Sequence, residues 1–85
     1  MELIDGNYYE NILCESFRDP ETGRRRVRPL PNQGFPTNLV IECSKKTRMA
    51  HPEGTKFRTE NVLVTKKPGG RIHLRAKDQM IYIVD

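Results

Sequence analysis

Arg24-Arg25-Arg26-Val27-Arg28 is the densest run of chemistry-bearing side chains in this 85-residue sequence. On an extended strand Arg24, Arg26 and Arg28 share one face, and Arg25 and Val27 share the other. Alternate residues lie about 6–7 Å apart along a strand, close to the phosphate spacing of an extended nucleic-acid strand, roughly 6 Å. Guanidinium groups grip phosphate through a planar fork and stack on bases. The same run also suits a solvated edge strand that charge protects from aggregation. Alone, it does not assign a function.

Two further clusters add to it. Lys45, Lys46 and Arg48 belong to one short segment with helical character, and Lys66, Lys67 and Arg71 flank a turn. His73 and Arg75 continue the outward face of the strand after that turn. Each cluster separately reads as an ordinary charged surface, so the argument for binding rests on their sum. Residues 23–85 hold fourteen basic residues against five acidic, a net of +9, whereas residues 1–22 hold six acidic residues and one basic. Such asymmetry speaks to partners rather than to fold. The expectation is a small basic module that binds DNA or RNA, single-stranded or with weak sequence selectivity. Its contacts would come from Arg24, Arg26, Arg28, Lys45, Lys46, Arg48, Lys66, Lys67, Arg71 and Arg75. The alternative is a protein-interaction or self-assembly domain. In that reading sheet edges join copies, and the acidic start pairs with the basic face of a neighbour.

Stacking platforms would complete a single-strand site. Tyr8, Tyr9, Phe35 and Tyr82 are the candidates, and Phe17 and Phe57 are assigned to the core, which has no tryptophan to fill it. Catalysis finds no such support. His73, Glu60, Lys66 and Arg75 could be gathered around a phosphate, but two histidines placed at random would permit the same arrangement. No phosphate-cradling glycine loop and no nucleophile motif is present, so neither an enzyme nor a cofactor is expected. Cys14 and Cys43 lack the close Cys or His pairs of a metal site and fit no dense disulfide framework, so both are expected as buried thiols.

These groups need elements to position them. Residues 9–18 read as a strand with Ile12 and Cys14 on one side and Tyr9, Leu13 and Phe17 on the other. Asp19-Pro20-Glu21-Thr22-Gly23 is a turn, with Pro20 at the first corner and Gly23 where φ is positive. Arg24–Leu30 returns as a strand that Pro29 and Pro31 end. Residues 31–38 form a loop, Leu39–Cys43 a short central strand, and Lys45–Ala50 a helix capped by Ser44 and stopped at His51-Pro52. Thr55–Thr65 is a long strand with a bulge near Glu60-Asn61. Lys67-Pro68-Gly69-Gly70 turns the chain into Arg71–Arg75, Ala76–Gln79 is a polar break, and Met80–Val84 is a final buried strand.

The fold class is therefore mainly β: a small antiparallel barrel-like or strongly curved sheet, OB- or SH3-like, of about six short strands with one short helix near residues 45–50. Residues 1–85 are expected as one domain. The start of the chain lacks the basic and apolar stretches of a signal peptide, and no run approaches the roughly 18 apolar residues of a membrane helix. A cytoplasmic location without membrane contact is the corresponding expectation.

Overall fold

A computed structural model describes residues 3–66 and 68–84. Among the described residues eight strands and one α-helix follow in order, with a single 3-10 turn at Lys77–Gln79 before the last strand: β1 (Tyr8–Glu10), β2 (Leu13–Arg18), β3 (Arg25–Pro29), β4 (Ile41–Glu42), α1 (Lys45–Met49), β5 (Lys56–Thr59), β6 (Asn61–Lys66), β7 (Ile72–Ala76) and β8 (Ile81–Ile83). They form two four-stranded sheets, ordered β1-β6-β7-β4 and β3-β2-β5-β8. Every pairing is antiparallel except β4 with β7, which is parallel with Ile41 opposite Leu74. Neither sheet closes into a barrel. β3 and β4 lie against one another, but no ladder joins them.

The count rises from six expected strands to eight because two of them bend from one sheet into the other. Asn11 takes a left-handed φ of 54° and separates β1 from β2, a conformation asparagine tolerates better than most side chains. Glu60 alone separates β5 from β6. The two corners face each other: Asn11 N–H donates to the Glu60 carbonyl at 2.8 Å, and Thr59 N–H donates to the Ile12 carbonyl at 3.0 Å. Register is continuous through the corner, from Glu10 opposite Asn61 to Leu13 opposite Arg58. The expected bulge at Glu60-Asn61 is thus a bend with no extra residue. The outer corner, from β7 to β8, does carry extra chain. Four residues, Lys77–Met80, face the two residues Glu60 and Asn61.

Between the sheets lie Ile12, Cys14, Val27, Leu39, Ile41, Cys43, Phe57, Val62, Val64, Leu74, Ala76 and Ile81. Phe57 is fully buried, and filling this thin core with its ring is worth about 3–5 kcal/mol against alanine. The left-handed Asn11 resets the alternation, so Tyr9 packs on the core together with Ile12, and Leu13 is exposed. The expectation that Tyr9 shares a face with Leu13 and Phe17 is corrected accordingly. Phe17 is half-buried on the outer face of the second sheet and not in the core. The last strand is also shallower than its apolar run implies. Ile81 is buried, but Met80, Ile83 and Val84 are exposed because β8 is a sheet edge.

The short helix forms as its sequence dictates. The Ser44 hydroxyl accepts from Thr47 N–H, and Ala50 caps the far end. The β2–β3 turn also follows its residues: Gly23 N–H donates to the Asp19 carbonyl at 2.7 Å with a Gly23 φ of 72°. No helix among the described residues is long and apolar enough to cross a membrane.

Candidate nucleic-acid interface

The β2–β3 hairpin sets Arg18 opposite Arg25, Phe17 opposite Arg26 and Glu15 opposite Arg28. Its outer face continues across β5 and β8, where Arg58 lies between Leu13 and Tyr82. Two arginines stack there on aromatic rings. The Arg28 guanidinium carbon is 4.5 Å from the Phe17 ring centroid, and that of Arg58 is 5.3 Å from Tyr82. Most charge on this face is answered by carboxylates. Arg28 Nε lies 3.1 Å from Glu15, Lys56 Nζ lies 2.6 Å from the other Glu15 oxygen, and Arg26 Nε lies 3.0 Å from Asp19. The Arg26 contact is electrostatic, since its Nε–H is not aligned for a hydrogen bond. The Lys56 hydrogen bond, then that of Arg28, holds Glu15 below the usual carboxylate range. Asp19 is lowered as well, mainly by the Glu21 backbone N–H.

A different arrangement lies where α1 packs on β3. Arg24, Arg25, Lys45, Arg48 and Met49 line a cleft of about 400 Å³ beside Gly23. Arg48 Nε donates to the Arg25 carbonyl at 3.1 Å, and its Nη1 donates to the Cys43 carbonyl at 2.7 Å. Arg25 Nη1 donates to the His51 carbonyl at 2.9 Å. Neutral carbonyls therefore fix two guanidiniums without cancelling their charge. Among the described residues no carboxylate forms an ion pair with Arg24, Arg25, Lys45 or Arg48. A guanidinium has five N–H donors, so Arg48 and Arg25 each keep N–H groups beyond those given to the carbonyls. A pre-positioned cation loses less side-chain entropy on binding an anion. Arg18 faces Arg25 and Glu53 across an adjoining cleft.

Of the residues singled out in the sequence, Arg24, Lys45 and Arg48 converge in this cleft. Arg26 and Arg28 belong to the carboxylate-paired face, and Lys46 is exposed on α1 outside the cleft. Lys66 and Arg71 are exposed beside the β6–β7 turn, and Arg75 is exposed on β7. Lys66 and Arg75 lie on the first sheet and Arg71 immediately precedes β7, so none is on the β2–β3 hairpin. Lys67 lies outside the described residues. His73 is largely covered and sits 3.2 Å from Glu42. It pairs with Thr65, five residues along from Glu60, about 16 Å at strand spacing, so these two do not meet around one phosphate.

Arg25 is the contributor that the sequence concealed. Strand alternation puts it on the Val27 side, which is buried. At the strand end, however, that side faces α1 rather than the core. Both cysteines are buried and free. Burial, with Cys43 nearby, pushes the Cys14 thiol up to about 12, and burial raises Cys43 too.

Fold and site together describe a small, mainly β domain of two joined sheets with a carboxylate-free basic cleft on one side. No protein-family model, curated protein or solved structure matches the chain.

Proposed function

We propose that this chain is a non-catalytic binding module for single-stranded nucleic acid of low sequence selectivity. The observation that carries the reading is the cleft of Arg24, Arg25, Lys45 and Arg48, whose two anchored guanidiniums have carbonyls rather than carboxylates as partners. Phosphates of the strand displace counterions at these cations. Arg58 on Tyr82 offers a flat surface for a base on the neighbouring face. The strand order supports an OB-type reading of the fold. The bent β1–β2 stretch lies between β3 and β5–β6, β7–β8 follows, β4 runs parallel to β7, and a helix connects β4 to β5. A partly open five-stranded barrel has that path, with the open seam between β3 and β4. Two free thiols suit a reducing compartment, and we place the module in the cytoplasm.

The test is fluorescence anisotropy with a labelled oligothymidylate across a salt series. Four phosphate contacts give a log–log slope of about −3. The Arg24→Ala/Lys45→Ala double variant weakens binding roughly tenfold and makes the slope shallower by about 1.4. An affinity independent of salt would overturn the proposal.

A second reading, association of copies through a sheet edge, is favoured by Ile83 and Val84, exposed at the β8 edge. Sedimentation velocity would then show a concentration-dependent dimer that Ile83→Lys abolishes. A monomer at every concentration removes this reading. Glu15 and Asp19, two acids of the N-terminal segment, already neutralise bases of their own chain, which leaves less charge there for pairing with a neighbour.

A further inference from the structure

A cleft of about 540 Å³ lies away from the basic cleft, on the outer face of the first sheet at the β7–β8 corner. Its size falls within the range of small-molecule sites, roughly 300–1,000 Å³. Cross-strand register arranges its side chains in two rows. Tyr8, Leu63 and Arg75 stand abreast on β1, β6 and β7, and Glu10 and Asn61 stand abreast one step further along. At strand spacing Tyr8 and Arg75 are about 10 Å apart, with Leu63 between them as an apolar floor. Lys77, two residues after Arg75, also lines the cleft.

Three features point to a ligand. Tyr8, which lines the cleft, is 67% exposed and so has ring surface free to stack. Glu10, Arg75, Lys77 and Asp78 all line the cleft, yet none of them forms an ion pair among the described residues. The corner that makes the cleft is also strained: Asp78 and Gln79 both take left-handed φ, 53° and 58°. Consecutive non-glycine residues rarely adopt this conformation, and such strain gathers at functional sites. The turn is tied in place by Ser44 N–H, which donates to the Gln79 carbonyl at 2.9 Å.

We propose that this cleft binds one nucleotide whose base carries an exocyclic amine beside a ring-nitrogen acceptor, as cytosine and adenine do. The base stacks on Tyr8 over Leu63. The Glu10 carboxylate accepts from the amine, and the neighbouring Asn61 amide donates to the ring nitrogen. Arg75 and Lys77 hold the phosphate. Uracil presents a carbonyl where the amine would be and meets the Glu10 carboxylate lone pair to lone pair. The site stands apart from the basic cleft, so the two proposals fail separately. The ligand is a nucleoside monophosphate or the same unit within a strand.

The experiment is a titration of ¹⁵N-labelled protein, followed by NMR, with CMP, UMP, inorganic phosphate and an oligocytidylate. CMP is expected to shift the amides of residues 8–10, 61–63 and 75–79 with at least tenfold higher affinity than UMP. Tyr8→Ala is expected to abolish the CMP shifts, Glu10→Gln to narrow the CMP-to-UMP ratio below threefold, and Arg24→Ala/Lys45→Ala to leave them unchanged. The Tyr8 side chain is mostly exposed, so its removal leaves the core intact. Shifts with the oligocytidylate but not with CMP assign the cleft to a strand. Equal affinity for CMP and UMP, phosphate acting as well as CMP, or no shift with any ligand overturns the proposal.

Discussion

Two groups of arginines flank the β2–β3 hairpin, and they differ in what holds them. On the outer sheet face Arg26 and Arg28 lie against Asp19 and Glu15. In the cleft below α1, Arg25 and Arg48 lie against backbone carbonyls of residues 51, 25 and 43. A carboxylate partner fixes the side chain and cancels its charge. A carbonyl partner fixes it and leaves the charge in place. The first group therefore contributes to solubility and the hairpin, and the second contributes attraction for an anion. Residue type is the same in both, so the partners decide.

The largest expected effect that sharpens this contrast is on Arg48. Arg48→Met keeps the stem but leaves the Arg25 and Cys43 carbonyls without their donor. It should cost about 1–3 kcal/mol in urea unfolding and weaken oligonucleotide binding at least tenfold. Unchanged stability would mean that the two carbonyl bonds do not order the cleft. Glu15→Gln acts on the other group and in the opposite direction. It releases Arg28 and Lys56, so binding should tighten about two- to fivefold at low salt. Tm should fall by less than about 5 °C, since exposed ion pairs contribute little. A loss of affinity would break the contrast.

The smallest effect is in pH. Glu15 titrates below its ordinary value of 4.5 in the folded chain, chiefly through Lys56. A lowered folded pKa gives stability that is present above the unfolded value and lost as pH falls through the folded one. The Tm difference between wild type and Glu15→Gln should thus be constant above pH 4.5 and close below it. A difference that persists in acid would remove the ion pairs as its cause.

Local elements were the readable part of the sequence, because their causes are local. Pro20 and Gly23 set the first turn, and Ser44 caps the helix. Ile12, Cys14, Val27 and Leu74 reach the core by simple alternation, and Phe57 by the shortage of large side chains to fill it. The bends at Asn11 and Glu60 were harder, since a single left-handed asparagine inverts every side chain beyond it and leaves little mark on composition. The apolar run Met80–Val84 misled for a related reason: burial depends on strand order, and β8 is an edge. Arg24, Lys45 and Arg48 were singled out, but their meeting depends on α1 packing against β3, twenty residues away in the chain. Arg25 escapes a reading of the sequence because strand alternation says which side a residue takes and not what covers that side.

The decisive measurement compares two double variants that remove the same charge. Arg24→Ala/Lys45→Ala strips the carboxylate-free cleft, and Arg26→Ala/Arg28→Ala strips the paired face. Each lowers net charge by two, so a general loss of basicity affects them equally. In one oligothymidylate titration at low salt, the first should lose roughly tenfold in affinity and the second less than threefold. Equal losses, or a larger loss from the second, would contradict the account.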